Sequence, residues 1–377
     1  MNRVVIDRHV LRRNVREIDR IMRENGASWT LVTKMLCGHE DTLAVLPELG
    51  VTTVADSRLA NMEALRRVLP ELERWYLRPP SVSSAERIVE LAHVSICTEI
   101  EVLETLDRAA RSRGIAHRAV IMVELGELRE GVLPSALMSF FRRAQRLENI
   151  DIVGIGANIG CLSGTVPTIE QLSPLALYRR LIELEFDTRL PLISAGSSVV
   201  LSALLQGNAP LEINHYRIGE AAFLGTDLLG GGTLPGLDNA VRIEGEIIEI
   251  KEKNLVPLGE IAADVSPFEN SVPTGEPGER GHRALISIGQ LDTEVSALEP
   301  VDPSHSIVGA TSDITVVNLG ENRGSLGVGD RITFRPTYSA VVRAMSCQYL
   351  ERHLVDSQAG RDSGWPSVPS PRTVASL

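Results

Sequence analysis

Short apolar runs alternate with helix-like segments over the first 240 residues of the chain. The runs that predict β-strands cover residues 30–34, 51–56, 74–78, 94–98, 118–124, 151–157, 190–194 and 213–218. Between them, apolar residues recur at helical spacing, as at Ile100, Leu103 and Leu106. Eight strand–helix units within about 200 residues are what a (β/α)₈ barrel requires. A doubly wound open sheet shows the same alternation and is therefore an alternative.

The pattern changes near residue 240, where apolar and polar residues begin to alternate. Residues 241–250 have the period of two that is typical of a half-exposed antiparallel strand. Further strands are predicted over 284–288, 306–310, 314–318, 331–335 and 338–345. The expected organisation is an N-terminal strand over 1–8 that joins a β domain, a barrel over 9–235, the β domain over 236–354 and a disordered tail over 355–377.

Charge and hydropathy narrow the classes of partner. A net charge of -11 argues against a nucleic-acid partner. No apolar run approaches the ~20 residues that cross a bilayer, and no signal-peptide pattern opens the chain. The four cysteines are too widely spaced for a zinc site or a disulfide framework. We therefore expect a cytoplasmic protein with no membrane partner and no metal.

Lysine is unusually rare in this chain. Of 38 basic residues, only Lys34, Lys251 and Lys253 are lysines. Lys251 and Lys253 flank Glu252 in a charged stretch and are predicted to be solvated. Lys34 ends the first predicted strand, where it could be an ordinary strand-end charge. Lysine can form a Schiff base and arginine cannot, so the pattern favours Lys34 as an amine nucleophile at the mouth of the barrel.

Polar residues follow the other predicted strands at the end where barrels bind their ligands. In chain order they are Asp56 to Arg58, Arg78, Glu99, Glu124 to Arg129, Asn158, Ser197, Ser198, Arg217 and Gly219. The turns after the last two strands, which carry Ser198 and Gly219, are the usual phosphate site of such barrels. The sequence therefore predicts a phosphate-bearing ligand held near Lys34.

These motifs, taken in order, resemble alanine racemase and its relatives. The phrases that carry the resemblance are Val32-Thr-Lys, Val123-Glu-Leu-Gly-Glu-Leu-Arg-Glu-Gly, Gly156-Ala-Asn, Ser194-Ala-Gly-Ser-Ser and His215-Tyr-Arg-Ile-Gly-Glu. They look closest to the ornithine/lysine racemase branch and cover roughly residues 1–350. The resemblance implies an α/β fold, a TIM-like barrel followed by a mostly β domain. It also implies a pyridoxal-phosphate (PLP) enzyme that interconverts L- and D-amino acids, with ornithine or lysine favoured.

The resemblance gives the cofactor residues their roles. Lys34 would form the internal aldimine with PLP and act as one of two proton-transfer bases. Arg217 would face the pyridine nitrogen, and Asn158 would lie near the ring. The phosphate would be held mainly by backbone amides, with Tyr338 closing the phosphate site. The residues implied for that phosphate site are Ser197, Ser198, Gly219, Glu220 and Tyr338.

The resemblance also implies two residues that act on the substrate. Arg129 would lie near the substrate carboxylate. Asp313 matches a residue that reaches the active site of a partner subunit, which implies a head-to-tail homodimer. Glu124, Glu127 and Glu130 are expected to pair with Arg129 or to face a basic substrate side chain.

The sequence does not identify the base opposite Lys34, because the corresponding stretch, residues 256–264, lacks the tyrosine that alanine racemase uses. Asp264, Cys347 or a residue of the predicted surface loop 266–282 are the alternatives. A PLP enzyme of another reaction type, such as an aldolase, dehydratase or decarboxylase, is a second reading. A non-catalytic PLP-binding protein is a third, against which the β domain counts, because such proteins consist of a barrel alone.

Overall fold

The computed structural model describes residues 1–208, 212–259, 268, 276 and 278–357. The chain forms two compact units, one of Val10–Ala240 and one that joins Met1–His9 to the residues from Val241 onward. Residues 236–240 belong to the first unit, where the Ala240 amide donates to the carbonyl of Phe223 at 2.7 Å. In the described part of the chain, no helix has the length and apolar character needed to cross a membrane.

Strand β1 (Arg3–Asp7) opens the chain, and the next eight strands close a parallel barrel in the unit Val10–Ala240. These are β2 (Ser28–Val32), β3 (Thr53–Asp56), β4 (Glu73–Tyr76), β5 (Val94–Cys97), β6 (His117–Met122), β7 (Ile150–Ala157), β8 (Leu192–Ala195) and β9 (His215–Ile218). Neighbours follow chain order, and β2 closes the barrel by pairing with β9. The predicted (β/α)₈ barrel is confirmed, and closure excludes an open doubly wound sheet.

Helices connect the barrel strands. They are α1 (Arg8–Glu24), α2 (Glu40–Ala44), α3 (Leu59–Val68), α4 (Ala85–Leu91), α5 (Ile100–Arg113), α6 (Leu137–Ala144), α7 (Ile169–Leu172), α8 (Pro174–Phe186), α9 (Leu201–Leu205) and α10 (Glu220–Leu224). In α5, the predicted spacing is confirmed, because Ile100, Leu103 and Leu106 are all buried. These helices leave the carboxyl ends of the strands joined to short turns, where the polar residues lie.

The barrel interior is apolar and contains one buried histidine stacked on a tryptophan. Trp75 packs among Val32, Ile96 and Met122, and its ring lies 4.6 Å from that of His215. His215 bonds to the hydroxyls of Thr30 and Ser194 at 2.9 and 2.8 Å. Burial and the charge of Arg217 lower the pKa of His215 to about 3. The imidazole is therefore a neutral part of the core.

The second unit contains an eight-stranded, mostly antiparallel sheet. Its later strands are β10 (Val241–Asn254), β11 (Arg280–Ile286), β12 (Leu298–Pro300), β13 (Ser306–Ala310), β14 (Thr315–Asn318), β15 (Arg331–Pro336) and β16 (Glu351–Val355). β1 lies between β10, to which it is antiparallel, and β16, to which it is parallel. The mostly β character expected for this part of the chain is confirmed.

One predicted strand of this unit is wrong. Residues 338–345 form most of a helix, α11 (Tyr338–Ser346). Its buried residues are Ala340, Val341, Ala344 and Met345, which recur three to four apart as on one helix face. The apolar run was taken for a strand because a short run has no unambiguous period.

Two other expectations overlap described strands. The surface loop expected over 266–282 ends in β11, which begins at Arg280, and the tail expected from residue 355 begins on the last residue of β16. Most of the loop, together with Asp264 and residues 358–377, lies outside the described residues.

Candidate active site

Lys34 lies on the turn that follows β2, at the carboxyl end of the barrel. The strand ends at Val32, two residues before the predicted end, and Lys34 begins a short 3₁₀ helix, Lys34–Leu36. Thr33 fixes the start of this turn, because its amide donates to the carbonyl of Ala55 at 2.8 Å and its hydroxyl donates to Asp56 at 3.0 Å. The Lys34 side chain is exposed. Its amine is thus presented at the rim from a backbone held on the neighbouring strand β3.

Asp56 is the buried acceptor on which this part of the rim is built. One carboxylate oxygen accepts from Thr33, and the other accepts from the amide of Ser57 at 2.7 Å and from Asn61 at 3.0 Å. Burial raises the pKa of Asp56, although these hydrogen bonds oppose it. The sequence placed Asp56 at the rim without a role, and the structure shows that it orients the residues before and after it.

The end of β9 lies against the end of β2. A Cβ added at Gly219 would lie 3.0 Å from both Cβ and the carbonyl oxygen of Val32, so any other residue would push Val32 aside by a few tenths of an ångström. The next residue, Glu220, senses the charge of Lys34. Burial raises the pKa of Glu220, while a hydrogen bond to Thr226 and the Lys34 charge lower it. The first and last barrel strands therefore bring Lys34, Gly219 and Glu220 together.

Ser198 connects the turn after β8 to the turn after β9. Its buried hydroxyl oxygen accepts from the amides of Gly219 and Ala221 at 3.3 and 3.1 Å. Within the described residues no acceptor takes the Ser198 hydroxyl hydrogen, which is left to donate to a ligand. Ser197 is half-buried, and its carbonyl accepts from the amide of Val200 at 3.1 Å. Of the two serines, Ser198 is the one that the structure joins to Gly219.

Arg217 is a buried cation surrounded by neutral acceptors. One guanidinium nitrogen donates to the carbonyl and hydroxyl oxygens of Ser194 at 2.8 and 2.7 Å, and the other donates to the carbonyl of Ala157 at 2.9 Å. No carboxylate of the described chain forms a salt bridge with it. Burial lowers the pKa of Arg217 to about 10, so it remains charged at neutral pH. A buried cation of this kind fits a ligand that brings an acceptor or a negative charge.

Asn158 lies between Arg217 and Arg129. Its amide oxygen faces Arg129 and accepts from both terminal guanidinium nitrogens, one of them at 3.3 Å. The other end of the amide lies 3.4 Å from Arg217. Glu130 binds Arg129 from the opposite side through two hydrogen bonds to its Nε and Nη2. The Arg129 guanidinium is thus fixed at the rim, with part of its side chain exposed.

Glu127 joins the loop after β6 to the loop after β7. Its carboxylate is buried and accepts from the amides of Gly160 at 2.8 Å, Ser163 at 3.3 Å and Leu162. Glu124 plays a similar part within its own loop, where it accepts from the amide of Arg129 at 3.2 Å. With Glu130 on Arg129, all three acids are committed to structural partners. The expectation that one of them faces a basic substrate side chain is therefore not supported.

Cys161 is a site residue that the sequence did not single out. Its sulfur lies 3.5 Å from the end of Asn158 that faces Arg217, and it also contacts Arg129. It is exposed, whereas Cys97 and Cys347 are buried. A Gly-Cys pair after a strand has no signal of its own, so only the folded loop shows that this thiol lies between the two arginines.

The remaining candidates lie in the sheet unit. Asp313 is exposed and accepts from the Thr311 hydroxyl at 3.2 Å. Tyr338 is half-buried and begins α11. Cys347 is buried, with its sulfur 3.7 Å from a carboxylate oxygen of Asp292. In the part of the chain that the structure describes, no group of three His, Cys, Asp or Glu side chains could hold a metal ion.

The barrel residues together fit pyridoxal phosphate. An exposed amine lies across the β2–β9 contact from a serine hydroxyl and a glycine turn, and within the described residues the buried Arg217 has no carboxylate partner. Lys34 would hold the aldehyde carbon, Ser198 with the Gly219 turn would hold the phosphate, and Arg217 would face the ring nitrogen.

Comparisons with known proteins agree with this fit. Residues 6–227 match the family described as alanine racemase, N-terminal domain. The chain is 34% identical over 355 residues to the ornithine racemase of Acetoanaerobium sticklandii, covering 94% of this chain and 99% of that protein. It is 30% identical over 355 residues to the lysine racemase of Thermotoga maritima, covering 93% and 97%. The structure of alanine racemase from Bartonella henselae with covalently bound pyridoxal phosphate has the same fold, with a TM-score of 0.71, 14% identity and coverage of 94% and 99%.

Proposed function

The chain belongs to the alanine racemase family and is a PLP-dependent amino-acid racemase, and from that premise we propose that it acts on ornithine or lysine through Lys34. Support for the substrate comes from the two relatives named for these amino acids, which the chain matches over nearly its whole length. Support for Lys34 comes from its place on the rim. The observation that carries the proposal is the contact of β2 with β9, which brings Gly219 against Val32 and Glu220 within range of the Lys34 charge.

Lys34 is the proton-transfer group on one face of the substrate. When bound, PLP withdraws electrons from the α-carbon and so makes its proton removable. The Lys34 amine is exposed, and it is the only lysine in the barrel unit. For one enantiomer it takes the α-proton from its own face while the opposite group supplies a proton, and for the other enantiomer it supplies the proton instead. The base on the other face is open: Asp264 lies outside the described residues, and Cys347 is buried beside Asp292.

Two arginines divide the remaining work in this proposal. Arg129, held by Glu130 and Asn158, orients the substrate carboxylate with its exposed edge. Arg217 stays charged at neutral pH and would face the ring nitrogen of a bound PLP, where its positive charge would keep that nitrogen unprotonated. A weaker electron sink favours rapid return of the proton over bond-breaking side reactions, and this suits racemisation.

The same proposal includes the partner and the compartment. A head-to-tail homodimer would place Asp313 at the active site of the other subunit, and Tyr338 would close the phosphate site. The exposed position of Asp313 is compatible with such a contact. We also propose a cytoplasmic location, since none of the four cysteines, all of which lie in the described part of the chain, forms a disulfide.

The test is proton exchange at the α-carbon in deuterated water. With L-ornithine, L-lysine, L-alanine and L-serine as separate substrates, we expect ornithine or lysine to gain α-deuterium and lose optical rotation fastest. Lys34→Arg keeps the positive charge but cannot form a Schiff base, so it should lose both this exchange and the visible absorption of the lysine-bound cofactor. A product of altered mass without α-exchange would support another PLP reaction. A protein that stays colourless after PLP is added would refute the role of Lys34.

A further inference from the structure

A cavity that is separate from the residues proposed to hold PLP opens on the barrel rim between the carboxyl ends of β3 and β4. Its volume is about 500 Å³, which is enough for a small organic anion. It is lined by Arg58, Arg78 and Arg87, by four serines and by the ring of Tyr76. Among the described residues that line it, none is acidic. The proposed racemase chemistry uses none of these side chains.

Two of the three arginines have no counter-charge. Arg87 pairs with Glu63 and Glu90 at 2.5 Å each. Arg58 and Arg78 form no salt bridge with any carboxylate of the described chain. Both nevertheless act on the same buried group: burial raises the pKa of Tyr76, the charges of Arg78 and Arg58 lower it, and the charge of the buried Asp56 raises it. Two cations without a salt bridge to the described chain therefore lie near one wall of the cavity.

The backbone that carries these arginines is rigid. On the β3 side, Asp56 accepts from the amide of Arg58 at 3.1 Å. On the β4 side, Arg78 is followed by Pro79 and Pro80, which restrict its backbone to an extended conformation. These contacts restrict the backbone positions from which the two exposed arginine side chains project into the cavity.

Three serines with hydroxyl groups close to one another lie in the turn that follows the prolines. The Ser81 hydroxyl lies 3.1 Å from that of Ser83, and the Ser84 hydroxyl donates to the carbonyl of Ser81 at 3.0 Å. Ser81 and Ser83 line the cavity, and both are exposed. Their hydroxyl groups can rotate to donate a hydrogen bond. Guanidinium groups with hydroxyl donors are the side chains that recognise phosphate and carboxylate oxygens.

We propose that this cavity binds a small oxyanion, a phosphate or a carboxylate, at a site separate from the cofactor phosphate. Arg58 and Arg78 supply the charge, and the serines of the turn supply neutral donors. The proposal goes beyond racemisation and does not depend on it, because it rests on the cavity and its unpaired arginines alone.

The test is calorimetric titration of the PLP-loaded protein with inorganic phosphate, and separately with malonate, at low ionic strength. PLP loading keeps added phosphate from binding at the cofactor site. We expect saturable binding of at least one anion, weakened tenfold or more in the double variant Arg58→Gln/Arg78→Gln. Arg108→Gln is the matched control, because Arg108 is also exposed, bonds only to Thr105 through its Nη2 and lies outside the cavity.

A second variant adds charge rather than removing it. Ser83→Asp leaves both arginines present and should also weaken binding tenfold or more, because its carboxylate would offset one of the two positive charges and repel the added anion. Binding of phosphate alone, or of malonate alone, identifies the class of anion and supports the proposal. Absence of saturable binding in the wild type, or equal affinity in the wild type and in the folded double variant, overturns it.

Discussion

The carboxylate of Glu127 lies 2.8 Å from the backbone nitrogen of Gly160 and accepts its hydrogen bond. With the amides of Leu162 and Ser163 on the same carboxylate, one buried side chain holds together the loops that carry Arg129 and Cys161. Burial raises the pKa of Glu127, but the three amide hydrogen bonds, with the charge of Arg129, outweigh it and lower the pKa below its ordinary value.

Replacing Glu127 with Gln should loosen both loops. The Gln amide presents donors to backbone donors, so we expect a loss of roughly 1–3 kcal/mol in the free energy of unfolding at pH 7 and a higher KM for the amino acid. Because the folded pKa of Glu127 is lowered, its contribution is present above the ordinary value of 4.5 and is lost as pH falls through the folded value. Urea unfolding at pH 7 and at pH 3 measures the loss of stability and its pH dependence, and steady-state kinetics measures the KM.

Glu185→Gln is the control for this substitution. Glu185 is half-exposed and pairs with Arg142 at 3.1 Å on the outer face of the barrel, so we expect a change under about 1 kcal/mol. Equal losses in the two variants would show that Glu127 has no special structural role.

Gly219→Ala should weaken cofactor binding. The added methyl group would lie 3.0 Å from two atoms of β2, which must move away for it to fit. We expect at least a tenfold rise in the Kd for PLP, measured by absorbance titration. Gly324→Ala is the control, since the nearest atom to its added Cβ is 3.9 Å away. If Gly219→Ala and the wild type bound PLP equally, the contact of β2 with β9 would not shape the cofactor site.

His215 should make the protein sensitive to mild acid. The unfolded chain takes up a proton at this residue below about pH 6.5, whereas the folded chain does so only near pH 3. Stability that is fully present above pH 6.5 is therefore lost as pH falls toward 3, by about 1.4 kcal/mol per pH unit. Relative to His215→Asn, the wild type should lose about 2 kcal/mol between pH 7 and pH 5 in urea unfolding. Parallel stability curves would contradict this role.

Cys161 should be the thiol through which alkylation stops the enzyme. It is exposed and contacts Arg129 and Asn158, so a carboxamidomethyl group there would crowd the place proposed for the substrate carboxylate. We expect iodoacetamide to abolish α-proton exchange in the wild type and to leave Cys161→Ser active. Inactivation of both proteins at one rate would assign the effect to another cysteine, such as the half-buried Cys37.

The barrel was predictable from sequence because each of its strands is a short apolar run between helical patterns. The rarity of lysine in the chain points to Lys34, but it does not predict where the strand before it ends. β2 ends at Val32, and the Thr33 hydroxyl donates to Asp56, a contact between residues 23 positions apart. The helix at Tyr338 differs from the predicted strand because its apolar residues, although three to four apart, span too short a run to distinguish a helix from a strand by sequence.

The contacts between the loops could not be predicted from the sequence. Glu127, Glu124 and Glu130 stand in one motif and look alike, yet the first two bind backbone amides and the third binds Arg129. Which acid does which depends on where two loops from different strands meet, and this is set by barrel closure. Cys161 belongs to the same contact and could not be found earlier for the same reason.

Barrel closure by β2 and β9 also has a consequence for the time at which the protein can become active. The amine of Lys34 emerges early from the ribosome, but Gly219 and Ser198 follow more than 150 residues later. A nascent chain therefore exposes the proposed cofactor lysine long before the proposed phosphate site exists. Under this proposal cofactor capture waits for the last barrel strand, and a chain cut short before residue 219 would carry the lysine without the Gly219 turn of the phosphate site.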